Sequence, residues 1–400
     1  MFGAIYTALS GMNAYSQGLD VIGNNVANLN TPGFKISDPV FREIVYRNQQ
    51  STDSGGTRPG GSGVQANSSS MAFVQGELRD TSNPLDAAID GSGFFVLNQD
   101  GEYRYTRAGQ FQFDDDGFLV ERASGAKVVM STADTALGFF DLNTARTFSP
   151  RATTEVIVTG TLARGGTTVV YELPNIKVYD SAGTAIVLKA KFLRSSTDPL
   201  KWKVEVVDKD NNVVGGGDIA FAADSTPAAD TTALTVTVNS ADVEDFAVTF
   251  KFGDAGSFSG VTTPASSTAS QLQVLRQDGL QLGSLTKTEF DEKGQLQLTY
   301  SNGETKAVGT LVLANFDAPQ QLRSLGGSFF AATDKMHPII GQGLSSGIGK
   351  VVGGKLEMSN VELTQQFTDL IIMQRGYQAS SQISSVANEL IQTLLQMDGR

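Results

Sequence analysis

Few residues in this 400-residue chain are suited to chemistry, and their spacing argues against most of it. The single histidine, His337, stands in Lys335-Met336-His337-Pro338, with Asp334 as the nearest acid in the same loop. A general base needs a nucleophile or a substrate proton in reach, and a chain with no cysteine offers no thiol. One histidine without a thiolate cannot complete a typical zinc site. The densest acidic cluster, Asp114-Asp115-Asp116-Gly117, lies between Phe113 and Phe118. An EF-hand loop needs oxygen ligands at alternating positions and a distal Glu, whereas three adjacent Asp before Gly read as a hairpin turn. Gly91-Ser92-Gly93 runs straight into the strand signal Phe94-Phe95, so no helix start follows to hold a phosphate. The 42 acids guarantee chance pairs, and nothing in their spacing singles out a glycosidase pair. These residues predict no catalytic group, no metal site and no cofactor.

A net charge of -12 without a basic stripe predicts no nucleic-acid partner. Four hundred residues suffice for two or three domains. No apolar run reaches the roughly 18 residues of a membrane span. The N-terminus also lacks the basic start, compact apolar stretch and small-residue cleavage site of a secretory signal.

With so little chemistry to position, the weight falls on the elements themselves. Ile5, Met12, Leu19 and Val26 recur every seventh residue, and Ala8, Tyr15, Ile22 and Leu29 follow each by three. That is an a/d seam. Near the other end Leu363, Leu370, Tyr377, Ser384 and Ile391 recur at the same period, with Gln366, Met373, Ser380, Ala387 and Leu394 three later. Phe367 adds a further apolar position. The outer faces are almost uncharged: residues 1–34 hold one formal charge, Asp20, and offer Ser10, Asn13, Gln17, Asn24 and Asn28 instead. A solvent-facing helix normally carries Glu, Lys and Arg there, so these helices are predicted to pack among other helices. Asn30-Thr31-Pro32-Gly33 should stop the first. Ser359 or Asn360 should cap the second, with Glu362 in its first turn, and Leu363 to Met397 would extend about 50 Å at about 1.5 Å per residue.

The middle reads as β-structure. Asn98-Gln99-Asp100-Gly101, Asp114 to Gly117, Asp291-Glu292-Lys293-Gly294 and Ser301-Asn302-Gly303 each separate short runs rich in Phe, Tyr, Val, Leu and Thr. The expected organisation has terminal helices at 1–34 and 358–400 and linkers at 35–70 and 341–357. A discontinuous β-domain occupies 71–145 and 284–340, and an inserted β-domain 146–283. In the insert, Ile186, Leu188, Ala190 and Phe192, then Trp202, Val204 and Val206, then Phe246, Val248, Phe250 and Phe252 alternate with other side chains. A small sandwich or barrel fits that pattern. The fold class is therefore multidomain: an α-helical coiled coil of the N- and C-terminal segments plus two mostly-β domains.

Three strings carry a resemblance. Val21 to Lys35 (VIGNNVANLNTPGFK), Leu85 to Leu97 (LDAAIDGSGFFVL) and Met358 to Thr393 (MSNVELTQQFTDLIIMQRGYQASSQISSVANELIQT) resemble the bacterial flagellar axial family of rod, hook and hook-associated proteins. The motif positions are Asn24, Asn25, Asn28, Gly33, Phe34, Lys35, Gly93, Phe94, Phe95, Arg375, Gly376 and Tyr377. The length and the large insert are similar to the hook branch. Distal rod proteins share the termini but are shorter, and the long Gln/Ser/Gly-rich stretch from Lys35 to Phe94 keeps them as the second reading.

The resemblance implies a non-enzymatic subunit of a helical homopolymer, arranged in three radial layers. It implies further copies of the chain, rod, hook cap and hook-filament junction proteins as partners. It also implies export through the flagellar type III apparatus to the hook, outside the cell. Non-closing contacts between copies give an open filament. Free terminal helices have too little apolar surface to offset the ordering of roughly 70 residues at about 1–2 kcal/mol each, so they are expected to fold on joining it. Bending predicts Gly/Ser hinges near 51–70 and 341–354, and sliding outer contacts through Lys189, Lys191, Lys203, Glu205 and Lys251. A β-rich surface adhesin is the reading from another class; it would leave the charge-poor ends unexplained.

Overall fold

The computed structural model describes residues 2–44, 47–50, 57–60, 63–132, 137–165, 169–239, 244–333, 336–344 and 347–398. The protein is mostly β, with a helix at each end, and divides into two compact units. The first comprises 1–143, 288–298 and 306–400; the second comprises 144–287 and 299–305.

In the first unit, α1 (Phe2–Ala27) and α2 (Leu363–Asp398) pack side by side. α1 stops three residues before the predicted breaker. The Asn28 side chain donates to the Asn24 carbonyl and the Asn24 side chain, turning the chain at 28–30. Leu29 therefore lies in a turn, not on the helical seam. Strands Ser37–Glu43 and Val64–Met71 form an antiparallel ribbon, continued by Arg47–Gln50 with Thr57–Gly60. Parts of the predicted first hinge, 51–56 and 61–62, lie outside the described residues. The second hinge segment is largely built in. Lys350–Gly353 pairs with Ala87–Asp90, and Val351 and Ile348 are buried; residues 345–346 lie outside the described residues.

The main sheet of this unit joins Phe94–Gln99 to Glu102–Thr106, and that strand to Phe329–Ala331. The turn falls at Asp100-Gly101, both with positive φ (55° and 89°), as a two-residue type I′ hairpin requires. Asp114 to Gly117 also makes a turn, closed by Asp114 Oδ1 accepting from the Phe118 N–H at 2.7 Å. One sheet face buries Phe94, Tyr105, Phe316 and Phe330, with Phe73 packed edge-on against Phe94 and Phe330. The other buries Phe95 against Phe111.

Two sheets enclose the main core of the second unit. One is a four-stranded meander of Val170–Tyr179, Ala185–Arg194, Lys201–Val207 and Val213–Ala220. The other is mixed, with Glu155–Thr161 parallel to Phe246–Lys251 and antiparallel to Gln271–Gln277. Leu188, Ala190, Phe192, Trp202, Val204 and Val206 from the first share one core with Val248, Phe250 and Phe252 from the second. The alternation of the sequence is thus turned into a buried face, as the two-residue period of a strand demands.

Candidate assembly interface

Side chains of α1 and α2 meet in a regular order. Gly11 faces Ser380, Gly18 faces Met373, and Asn25 donates to Gln366 Oε1 at 2.9 Å. The positions climb by seven in one helix and fall by seven in the other, so the pair is antiparallel with a heptad register. In α2 the contact residues Gln366, Met373 and Ser380 are predicted seam positions, whereas in α1 only Ala8 and Ile22 of the predicted seam are buried. Ala8, Gly11, Ala14, Gly18, Ile22 and Asn25 are the buried residues of α1, while Ile5, Met12, Tyr15, Leu19 and Val26 are half-buried. Small residues let the helices approach closely. Gly376 lies under the Tyr15 ring, where a Cβ would come within 2.5 Å of ring carbons. Tyr15 also packs on Phe41 of the ribbon, ring centres 5.8 Å apart.

The large apolar side chains of α2 are mostly left over. Leu363, Phe367, Ile371, Ile372, Tyr377, Ile383, Val386, Leu390 and Leu394 are all at least 40% exposed. Leu370, Met373 and Ile391 are half-buried. At 100° per residue, Phe367 and Ile371 point to one side of the contact line and Ile372, Ile383 and Leu390 to the far side. A helix apolar on several sides belongs inside a bundle of helices.

A buried polar group stands at the root of the pair. Glu357 Oε1 accepts from Lys35 Nζ at 2.5 Å and from the Gly76 N–H at 2.9 Å. Glu357 Oε2 accepts from Arg107 at 3.1 Å. Lys35 also donates to the Val74 carbonyl at 2.8 Å, and Arg107 stacks 5.3 Å from the Phe94 ring centre. Burial lowers the pKa of both cations below the ordinary values, with Glu357 pulling the other way. Asn360 does not cap α2. Its side chain accepts from the Ile36 N–H and donates to the Ala72 and Val74 carbonyls, leaving the Glu362 carbonyl to take the first helical bond from Gln366.

The remaining motif residues lie around this root or on α2. Gly33 (φ 69°) sits where a Cβ would meet the Ala108 nitrogen at 2.5 Å. Phe34 is half-buried in the turn that follows. Gly93 leads into the buried pair Phe94 and Phe95, and Arg375 is exposed. His337 is exposed, and its expected neighbour Asp334 lies outside the described residues. Among the described residues no His/Asp/Glu group is placed to hold a metal. No described helix is long and apolar enough to cross a membrane. Three of the lysines proposed for sliding contacts pair within their own unit, Lys203 with Glu205, Lys251 with Glu155 and Lys191 with Glu172.

Sequence reasoning missed Gly11, Ala14 and Gly18, because a search for large apolar residues passes over small ones. It also missed Glu357 and Arg107. Gly11 and Gly18, seven residues apart, were the available signal for the first group.

A pair of incompletely covered terminal helices on a discontinuous β-body defines a self-assembling structural subunit. The family models agree along the chain. Residues 5–35 match the flagella basal body rod protein model and 352–397 the C-terminal model of the flagellar basal body rod FlgEFG proteins. Residues 88–158 match the flagellar hook protein FlgE/F/G D1 domain and 171–329 the flagellar basal body protein FlaE D2 domain. The flagellar hook protein FlgE of Treponema pallidum (strain Nichols) is 30% identical over 468 residues, covering 99% of this chain and 100% of the relative. That of Borreliella burgdorferi is 29% identical over 445 residues, with 99% and 100% covered. That of Salmonella typhimurium is 26% identical over 431 residues, with 98% of each covered. The chain belongs to the flagellar hook protein family. It is a structural protein of the flagellum and not an enzyme, and the distal rod reading is the less supported one.

Proposed function

We propose that the chain polymerises through α1 and α2 into the inner tube of the hook, the curved joint that passes torque from rod to filament. The observation that carries this reading is α2: most of its large apolar residues are left exposed within the subunit. Neighbouring copies cover them, extending each pair into a coiled-coil layer. The discontinuous β-domain forms the middle layer and the inserted domain, read as a sandwich, the outer surface. Rod, cap and junction proteins meet the two ends of the tube. Delivery through the type III export apparatus suits a chain without disulfides, and helices that fold on joining the tube withhold assembly until delivery.

Electron microscopy of the full-length protein beside a chain lacking residues 1–30 and 361–400 tests this under polymerising conditions. Tubes from the full-length protein alone are expected. Tubes from both, or compact monomers with the same helical circular dichroism before and after polymerising conditions, would overturn it.

A further inference from the structure

The polar group beneath the helices lies outside both of them. Lys35 follows the exit turn of α1, and Glu357 ends Lys355–Glu357, the strand before α2. The same two arms are tied main chain to main chain, Gly33 N–H donating to the Glu357 carbonyl at 2.8 Å. Arg107 brings in the β-sheet, and Asn360 brings in the strand exit at 72–74. Lys355–Glu357 is further paired with Leu78–Asp80. None of these bonds requires α1 or α2 to be formed. Yet the next polar link outward does: Asn25 bonds both the Ser37 backbone and Gln366, the first side chains joined across the helices.

The charge count is unequal. One carboxylate serves two cations, and among the described residues the Val74 carbonyl and the face of Phe94 stand against the excess positive charge. Arg107 Nε, also buried, has no hydrogen-bond partner. Removing the carboxylate would strand two buried cations, whereas removing Lys35 would leave a matched pair.

We infer that Lys35, Arg107, Glu357 and Asn360 form an anchor already closed in the free subunit, from which both helices grow side by side and in register. Glu357 is its positioning residue. The inference rests on assembly through the terminal helices, but its first readout does not require polymer.

Hydrogen exchange on the free full-length protein should show 33–37 and 355–361 protected while 5–22 and 370–395 exchange freely. In Glu357→Gln both anchor segments should lose protection together, with the core around Trp202 unchanged, and the critical concentration for tubes should rise at least about tenfold. Lys35→Met, which leaves Glu357 paired with Arg107, should raise it less than Glu357→Gln does. The double variant should assemble better than Glu357→Gln alone, because it strands one cation fewer; a purely steric role makes it worse. Unchanged exchange at 33–37 in Glu357→Gln, or a double variant no better than that single one, overturns the anchor. If Glu357→Gln fails to fold, Lys35→Met decides: a tenfold loss of assembly refutes the charge argument. Wild-type protein that never forms tubes refutes the assembly reading, and its exchange pattern still judges the anchor.

Discussion

At Gly376 one hydrogen in place of a methyl group decides how closely the two helices can meet. A Cβ there would press on ring carbons of Tyr15, which also packs against Phe41. Overpacking of this kind costs about 1–3 kcal/mol. Gly376→Ala is therefore expected to raise the critical concentration for tubes by about tenfold. Gly23→Ala is the control: it meets no atom within 4 Å, and alanine gains about 1 kcal/mol of helix propensity over glycine, so assembly should be unchanged or improved. Turbidity against protein concentration reads both. Lys35 makes a pH prediction. Burial lowers its folded-state pKa below the ordinary value, with Glu357 opposing, so unfolding takes up a proton between the two values. By linkage, stability rises with pH across that window, which ends near the unfolded value of about 10.4. Thermal melts from pH 8 to 10 should show wild type gaining relative to Lys35→Met; a flat difference would refute the shift.

The elements were legible where local chemistry dictates them. Asp100-Gly101 can only be a tight turn because both residues take positive φ, and the alternation around Phe192 and Trp202 follows from the strand period. The helices were legible as helices, and α2 in phase, its Gln366, Met373 and Ser380 row meeting α1; α1 was only partly in phase. A heptad count weights Ile5, Met12 and Leu19, whereas close approach is set by Gly11, Ala14 and Gly18, whose merit is the absence of a side chain. The neighbours of Asn360 in sequence suggest a cap, but its partners lie 286 to 324 residues away. Glu357 was invisible for the same reason, its cations being 322 and 250 residues distant. The division of α2 into a small-residue contact line and exposed apolar flanks makes its own prediction. Ile371→Ser with Ile372→Ser alters residues 57% and 55% exposed, so the free subunit should melt within about 0.5 kcal/mol of wild type. Burying each isoleucine against a neighbour would contribute about 1.5–3 kcal/mol, so tube formation should fail. Tubes of normal yield would mean that this side of α2 faces solvent in the polymer.

For the whole molecule, a hook must keep its inner contacts while its curvature changes through every turn, so the parts that assemble and the parts that tune stiffness should be separable. The cores support this. Every buried residue of the second unit's main cluster lies between Val156 and Leu272, and none of them belongs to the Phe94–Phe316–Phe330 cluster of the first. The excision points are also neighbours: Thr147 pairs with Ser284, and the Leu285 N–H donates to the Arg146 carbonyl at 3.0 Å. Joining 145 to 284 therefore closes a gap of about one strand spacing across and two residues along, which a short Gly/Ser link spans. A chain without residues 146–283 should keep the helix pair, its polar root and the first unit's core, and it should still form tubes. Packed contacts resist continuous deformation, so removing the second unit should change curvature or persistence length and leave the yield unaffected. Electron micrographs measure both on the same grid: straightened or more flexible tubes at normal yield support the division of labour, and loss of polymer would place essential subunit contacts in the deleted residues.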